Sequence, residues 1–322
     1  MAKHIHRNLA EGYVRGAILL AIGVILQLTI GPVEWSAFAW PTNAITLSIF
    51  VVLIVLAHFF SKHSVALQYL SSVHASVSTL VYALALTIVM GLTRQKEEGT
   101  WFSNMLTFWP FVLIYAQMAF ILGMVTLKRL NAMFSKNSPH RFSLHNLAFI
   151  LNHAGLFIAI VCATLGNADV RRLKMITATH TLQWRAIDEQ MRVMDMPIAI
   201  ELKRFIMEEY DDGTPKRFAS DIEIVTRTGK DFRATVDVNH PVKVDGWKIY
   251  QFDYDADLGS KSQTSILAFV RDPWLPSVYV GIFMMLAGAL LMFLGTGSGP
   301  GTGMHESSTF DRFSKSHNNS NL

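Results

Sequence analysis

Six stretches of this chain are apolar almost without a break, and the long stretch between the fifth and the sixth alternates instead. The apolar runs fall near 16–30, 44–60, 73–92, 108–127, 147–166 and 278–295. All but the first have the roughly 17–25 residues that a helix needs to cross the hydrocarbon core of a bilayer. The first is the shortest. A cleaved leader is one reading of it, but no small-residue cleavage site follows. Pro32, Glu34 and Trp35 suit an interfacial turn, so a retained helix is expected.

Beyond the fifth run the period changes. Ile198, Ile200 and Leu202 open the segment 197–210 with apolar residues at every second position, the signature of a half-buried strand. Asp211, Asp212, Gly213, Thr214 and Pro215 form a turn cluster, and Ile222 and Ile224 then alternate again as far as Thr226. Arg227, Thr228, Gly229 and Lys230 read as a hairpin loop before Phe232, Ala234, Val236 and Val238. Asp245–Gly246 is a strong turn signal ahead of Trp247, Ile249 and Gln251, and 265–270 makes a last strand. About six or seven strands, mostly antiparallel, are predicted, and about 110 residues suffice for one buried core. Residues 167–196, rich in Arg171, Arg172, Lys174, Arg185 and Arg192, look less regular and are expected to bridge the bilayer and the strands.

The charges between the runs orient them. Lys3, Arg7 and Arg15 precede the first run, while the loop 31–43 has no Lys or Arg. Lys62 and His63 follow the second, and Lys128, Arg129, Lys136 and Arg141 crowd the loop after the fourth. Alternate loops are basic, which places both termini in the cytoplasm. In the loop 93–107, Arg94 and Lys96 are offset by Glu97 and Glu98, and this loop is expected outside. The pattern therefore describes a polytopic α-helical membrane protein of about six spans, with a β-rich extracytoplasmic domain inserted between spans five and six. Its expected parts are a cytoplasmic N-terminus (1–15), two spans (16–65), three more (66–166), the β-rich domain (167–277), the last span (278–295) and a disordered cytoplasmic tail (296–322). The tail is rich in Gly, Ser and Asn, and its His305 and His317 are not expected to be functional.

Composition narrows the chemistry. With 51% hydrophobic and 16% charged residues the chain is too apolar for an ordinary soluble protein, and its formal +4 sits mainly on the membrane loops, so it is no nucleic-acid signal. A single cysteine, Cys162, excludes an internal disulfide, a CxxC redox pair and a zinc cluster, and is expected to pack. No nucleophile elbow, P-loop, HExxH or defensible carboxylate pair is present. What remains is a set of histidines at membrane depth, where an ionisable side chain is costly unless used or paired.

His153 is the sharpest of them, about six residues inside the fifth run and so about 9 Å into the apolar layer. A neutral imidazole there suits either an interhelical hydrogen bond or an axial bond to haem iron. Gly155 beside it removes bulk, which admits a flat cofactor or another helix, and Asn152 offers a hydrogen bond. His145, His74 and His58 lie nearer the helix ends and read as interfacial; His180 and His240 are outside, His240 in a turn. Trp101, Trp109, Trp274 and Tyr279 suit an aromatic belt.

The junction VNHPVKVDGWKIYQFDY followed by RDPWLPSVYVG resembles the ResB/CcsB family of cytochrome c biogenesis proteins. Three further stretches are similar to its earlier spans: YLSSVHASVSTLVYALALTIVMGLTRQ, GTWFSNMLTFWPFVLIYAQMAF and LNHAGLFIAIVCATLGNAD. The resemblance extends over about residues 66–295, leaving spans one and two without a counterpart. The tryptophan-rich WWD segment of the CcsA-type partner is missing, so a fused synthase is not expected. The resemblance implies system II biogenesis in a bacterial inner membrane, with the large domain on the periplasmic side. There a ResB-like subunit and a CcsA-like partner carry haem across the membrane and present reduced haem to a CxxCH apocytochrome c for thioether attachment. The implied complex is a holocytochrome c synthase (haem lyase), with bond formation on this chain or on its partner left open. The implied cofactor is haem b, held transiently and without covalent bonds, with His153 as its axial ligand beside Asn152 and Gly155. A thiol-reducing thioredoxin-like protein is a further partner this admits. The outer domain becomes a scaffold for the apocytochrome by strand addition, with Trp247, Tyr250 and Phe252 as aromatic contacts, although alternation puts some of them, Trp247 first, in the core. The competing reading is a non-catalytic membrane scaffold or anchor for a redox complex.

Overall fold

The computed structural model describes residues 2–96, 99, 101–134, 143–212 and 214–295. Six of its helices are long and apolar enough to cross a membrane. They are α1 (Ala2–Thr29), α2 (Thr42–Phe60), α4 (Val73–Leu92), α5 (Trp109–Phe134), α6 (Leu144–Gly166) and α7 (Leu275–Gly295), with a short α3 (Val65–Leu70) before α4. α1 is longer than its apolar run, because Lys3 to Arg15 continue the same helix rather than preceding it. Lys136, Arg141, Glu97, Glu98, Gly213 and the expected disordered tail lie outside the described residues, as do the side chains of Lys3 and Arg7.

Glycines bring the helices together. A Cβ at Gly23 of α1 would lie 2.6 Å from the Pro110 Cα of α5, and one at Gly12 would lie 2.5 Å from the Tyr69 hydroxyl. Tyr82 of α4 donates to the Tyr13 carbonyl at 2.8 Å, fastening α1 to the bundle. The tightest seam joins α6 and α7. A Cβ at Gly155 would meet the Gly281 carbonyl oxygen at 2.6 Å, and one at Gly281 would meet the Gly155 oxygen at 2.6 Å and the Ala159 nitrogen at 2.7 Å. One turn-pair further on, Gly288 faces Ala148 and Asn152 at 2.8–2.9 Å by the same measure. Without side chains between them, the two backbones touch.

Between α6 and α7 in the chain come eight strands, all antiparallel. They are β1 (Arg171–Ala178), β2 (Leu182–Ile187), β3 (Val193–Glu209), β4 (Pro215–Thr226), β5 (Asp231–Asp237), β6 (Val242–Val244), β7 (Trp247–Tyr254) and β8 (Thr264–Arg271), in the spatial order β5-β4-β3-β2-β1-β8-β7-β6. The first and last strands thus pair inside the sheet, in eight steps from Arg171↔Arg271 to Ala178↔Thr264. β1 and β2 correct the expectation that 167–196 is irregular. Leu173, Met175 and Thr177 point inward and are buried, but Arg172 and Lys174 on the outward positions conceal that alternation in the sequence.

Inside the sheet, Ile198, Ile200, Leu202, Ile222, Ile224, Ile249, Leu267 and Phe269 are fully buried, each contributing about 1.5–3 kcal/mol by leaving water. β4 is no neighbour of β7 or β8 in the sheet order, yet Ser220 bonds to Gln251 and to Ser265 at 2.7 Å, all three buried. The sheet is therefore folded over, with its two halves sharing a core. The predicted Asp245–Gly246 turn is present with φ of 47° and 81°, values that favour Gly and Asp.

Ion pairs line the outer strands. Burial disfavours the charged form of Asp237, but Arg217 at 2.7 Å and the Val238 N–H outweigh it and hold the carboxyl below its usual range. Asp245 is lowered too, by Lys230 and Thr228.

Two outcomes are expected. A folded-state value below the ordinary carboxyl value near about 3.9 stabilises the fold above that pH, and the stabilisation is lost as pH falls through the lowered value. Amide-exchange protection of β4 and β5 should fall in that acid window in wild type and less steeply in Asp237→Asn; identical profiles would refute the linkage. Gly155→Ala should lower stability by about 1–3 kcal/mol through overpacking against α7. Gly91→Ala, where nothing lies within 4 Å, should stay within about 0.5 kcal/mol. Melting of the detergent-solubilised pair decides, and equal melting would remove the seam from the argument.

Candidate functional site

α6 presents two faces. Ala148, Asn152, Gly155 and Ala159 turn to α7, and Phe149, His153 and Phe157, at intervals of four, form a second row. Gly155 therefore serves helix packing: the space its missing side chain leaves is filled by α7, not open to a flat cofactor. Asn152 belongs to the same seam, its side-chain amide 3.7 Å from the Met292 sulfur. The three residues grouped around the fifth run in the sequence are thus divided, and only His153 stands on the free row.

His153 is half-buried, and its ring stacks on Phe149 with centroids 3.8 Å apart. Its Nδ1 lies 2.9 Å from the Phe149 carbonyl oxygen. A carbonyl oxygen only accepts, so Nδ1 carries the proton, and in the neutral ring Nε2 is left as a lone pair. That is the tautomer a metal-ligating imidazole uses, with its other nitrogen fixed by a backbone carbonyl. Arg129 of α5 sits over the same phenyl ring, its guanidinium carbon 5.1 Å from the Phe149 centroid and its Nε buried with no hydrogen-bond partner. Among the described residues no three His, Cys, Asp or Glu side chains converge on a metal position.

A cavity of about 420 Å³ opens near the sheet end of the bundle, between α2, α5 and α6. Trp35, Phe38, Phe50, Trp109, Tyr115 and Ile160 line it, and His153 does not. Ile160 is seven residues from His153, about 10 Å along the axis, so the structure keeps the imidazole and the cavity apart.

At that end Asp169 gathers three elements. It accepts from the Trp40 N–H at 2.8 Å, from the Asn43 amide at 2.8 Å and from the Trp274 indole at 2.7 Å. Asn43 is fully buried and also donates to the Leu165 carbonyl at 3.3 Å. Trp274 is thereby a structural donor rather than simply a belt residue, and Trp109 likewise donates to the Gly31 carbonyl at 2.9 Å. Reading the sequence missed Asp169 and Asn43. An acid directly after an apolar run and an Asn at the head of another were the available signals.

The aromatic candidates on β7 also separate. Trp247 is 4% exposed and packs edge-on to Phe269, so it is core and offers a partner no face. Tyr250 is half-buried. Phe252 is 48% exposed at a β-bulge, with the Lys174 ammonium 3.9 Å from its ring centroid. His145, His180 and His240 are exposed, and Cys162 is a buried free thiol.

Comparison with known proteins bears on the same segment. The ResB-like family matches residues 140–269, from the approach to α6 through most of β8. Over that segment the chain is similar to the ResB-like family. A cytochrome c biogenesis protein CcsB from Prochlorococcus marinus subsp. pastoris is 27% identical over 110 residues, 33% of this chain. The aligned part is 24% of that protein, so the chain spans about a quarter of the curated relative it matches. A solved cytochrome c haem lyase CcmF covers 88% of this chain and 44% of its own at 12% identity, with a TM-score of 0.35, too low to support an argument. The family match takes in His153, Asp169 and the sheet as far as Phe269, and leaves α1–α5 and α7 outside.

Replacing Asp169 by Ala should strand three donors and lower stability by about 1.5–3 kcal/mol. Asp169→Asn should fall between, since it keeps one acceptor oxygen and turns a donor toward Asn43 or Trp274. Thermal melting in detergent checks this; a wild-type melting point for Asp169→Ala would show the network to be incidental.

Proposed function

We propose that this ResB-like chain acts in cytochrome c biogenesis as a haem-handling membrane subunit, with His153 as an axial ligand. The observation that supports this most is the setting of His153: its Nδ1 lies 2.9 Å from the Phe149 carbonyl oxygen, which leaves Nε2 as the nitrogen for a ligand, on the row of α6 that α7 does not cover. The donor set fits haem better than a bare ion, since one imidazole with no converging carboxylates or thiolates among the described residues suits an axial ligand rather than a metal cage. When bound, haem supplies a redox-active iron and the vinyl groups across which apocytochrome thiols add to form thioether bonds.

The chain's own residues do the rest. His153 holds the iron side, and its neutral nitrogen donor tunes the iron through axial ligation. Phe149 fixes the ring orientation by stacking and through its carbonyl. The α6–α7 seam holds the helix carrying His153 in one rotation. With a CcsA-like partner, the chain carries haem across a bacterial inner membrane toward the sheet, which lies on the periplasmic side with both termini cytoplasmic. There reduced haem is presented to a CxxCH apocytochrome c, held against the sheet near Phe252 and Tyr250, while a thioredoxin-like protein keeps its thiols reduced. Haem is held as transient haem b. The functional divisions are a two-span addition at 16–65, a three-span unit at 66–166, the sheet domain at 167–277 and the last span at 278–295.

The test is a visible spectrum and a pyridine haemochrome assay on purified protein, with and without the partner. Wild type should show a b-type signal that falls at least about tenfold in His153→Ala and returns with added imidazole, as expected for a lost axial ligand. A haem-free wild type, even beside its partner, would leave the scaffold reading in its place.

A further inference from the structure

Arg129 has no role in the reading above, yet it is the costlier residue of the pair. It sits in the last third of α5, on a helix long and apolar enough to cross a membrane. Its neighbour Lys128 is exposed, so the chain places one cation in the open and turns the next one in. The Arg129 Nε is buried and no hydrogen bond reaches it. The Phe149 ring 5.1 Å from the guanidinium carbon offers its negative face, but a ring face accepts no directed N–H bond of the kind a planar guanidinium offers in a fork. No Asp or Glu lies on α2, α4, α5, α6 or α7; Glu11 of α1 is the one carboxylate on the six long helices, and it has interactions of its own. The anion that would complete Arg129 is therefore not supplied by these helices.

Phe149 is the shared wall. One side of the residue is stacked on His153 with centroids 3.8 Å apart, and Arg129 lies over its ring. A ligand with a metal at one point and a carboxylate on its rim matches an imidazole and a half-buried guanidinium with an unbonded Nε, both set against the one phenyl ring. We infer that Arg129 anchors a propionate carboxylate of the porphyrin whose iron is held by His153, an assignment that rests on the haem reading. A guanidinium fork suits a carboxylate in two parallel hydrogen bonds, which a lysine does not reproduce. The anchor fixes the in-plane rotation of the porphyrin, which an axial bond alone leaves free.

The test compares two probes on the full chain in detergent: iron protoporphyrin IX and its dimethyl ester, which lacks the carboxylates. Each is titrated by its Soret band into wild type, Arg129→Gln, Arg129→Lys and His153→Ala. Wild type should bind the free acid about tenfold or more tighter than the ester. Arg129→Gln should remove that preference by weakening only the acid, and Arg129→Lys should restore part of it. His153→Ala should weaken both. The wild-type preference needs no variant to fold, so a misfolded Arg129→Gln does not decide the matter. Equal binding of acid and ester to wild type, or equal weakening of both by Arg129→Gln, would overturn the anchor while leaving His153 standing. Loss of bound anionic lipid in Arg129→Gln with unchanged haem binding would reassign the guanidinium to a phospholipid headgroup. Failure of wild type to bind either probe through His153 would overturn both readings together.

Discussion

The backbone contact between α6 and α7 is the constraint on which the rest of this structure depends. Helices packed through ordinary side chains run about 8–10 Å apart, whereas paired strands run about 4.8 Å apart. α6 and α7 lead directly into β1 and β8, which pair from their membrane-side ends at Arg171↔Arg271. A wide helix pair would have to converge abruptly to feed that ladder. With Gly155, Gly281 and Gly288 in the seam, the helices are already close when the chain leaves them. Asp169 and Asp272 then fix the exit: Asp169 holds the Trp274 indole, and Asp272 accepts from the Trp274 and Leu275 N–H groups at the start of α7. The paired first and last strands are in effect the continuation of a helix pair.

The same seam determines what the rest of α6 can do. Once Gly155 must face α7, the rotation of the helix is set, and successive residues follow at about 100° each. Asn152 is drawn into the contact and His153 is turned away from it, onto the row with Phe149 and Phe157. Phe157 stacks on Phe50 of α2 with centroids 6.3 Å apart, so the row also defines where α2 lies. The two helices that lack a counterpart in the resemblance are thereby engaged with it. α2 is joined through Phe50 at one level and through Asn43 and Asp169 at another, and α1 through its glycines on α4 and α5.

Much of the architecture could be read from pattern, because both periods are local. Apolar length shows a long helix and alternation shows a strand, so the six helices and the strands from 197 onward were legible. Where charges occupied the outward positions, as in β1, alternation survived only in Leu173, Met175 and Thr177 and was overlooked. The site was harder. His153 drew attention by its depth, but Gly155 carried two meanings that only the position of α7 could separate. Asp169 binds partners more than 100 residues away on either side, and Arg129 meets Phe149 across a loop. Such contacts leave no periodic trace, since nothing at the neighbouring positions must change to accommodate them.

The scaffold reading accounts for part of this molecule well. It explains the folded sheet, the glycine seam and the Asp169 network, all of which hold an outer unit at a set distance from a helix bundle. It does not call on the His153–Phe149 stack of α6 or on Arg129 of α5 beside it. The Arg129 Nε is buried and unbonded, a state that costs about 1–3 kcal/mol or more for a charged group. The stack of His153 on Phe149 and the guanidinium over the same ring hold these side chains in place, and they leave the Arg129 Nε without a partner. The seam therefore supplies rigidity, and it leaves Phe149 and His153 on the face of α6 that α7 does not occupy.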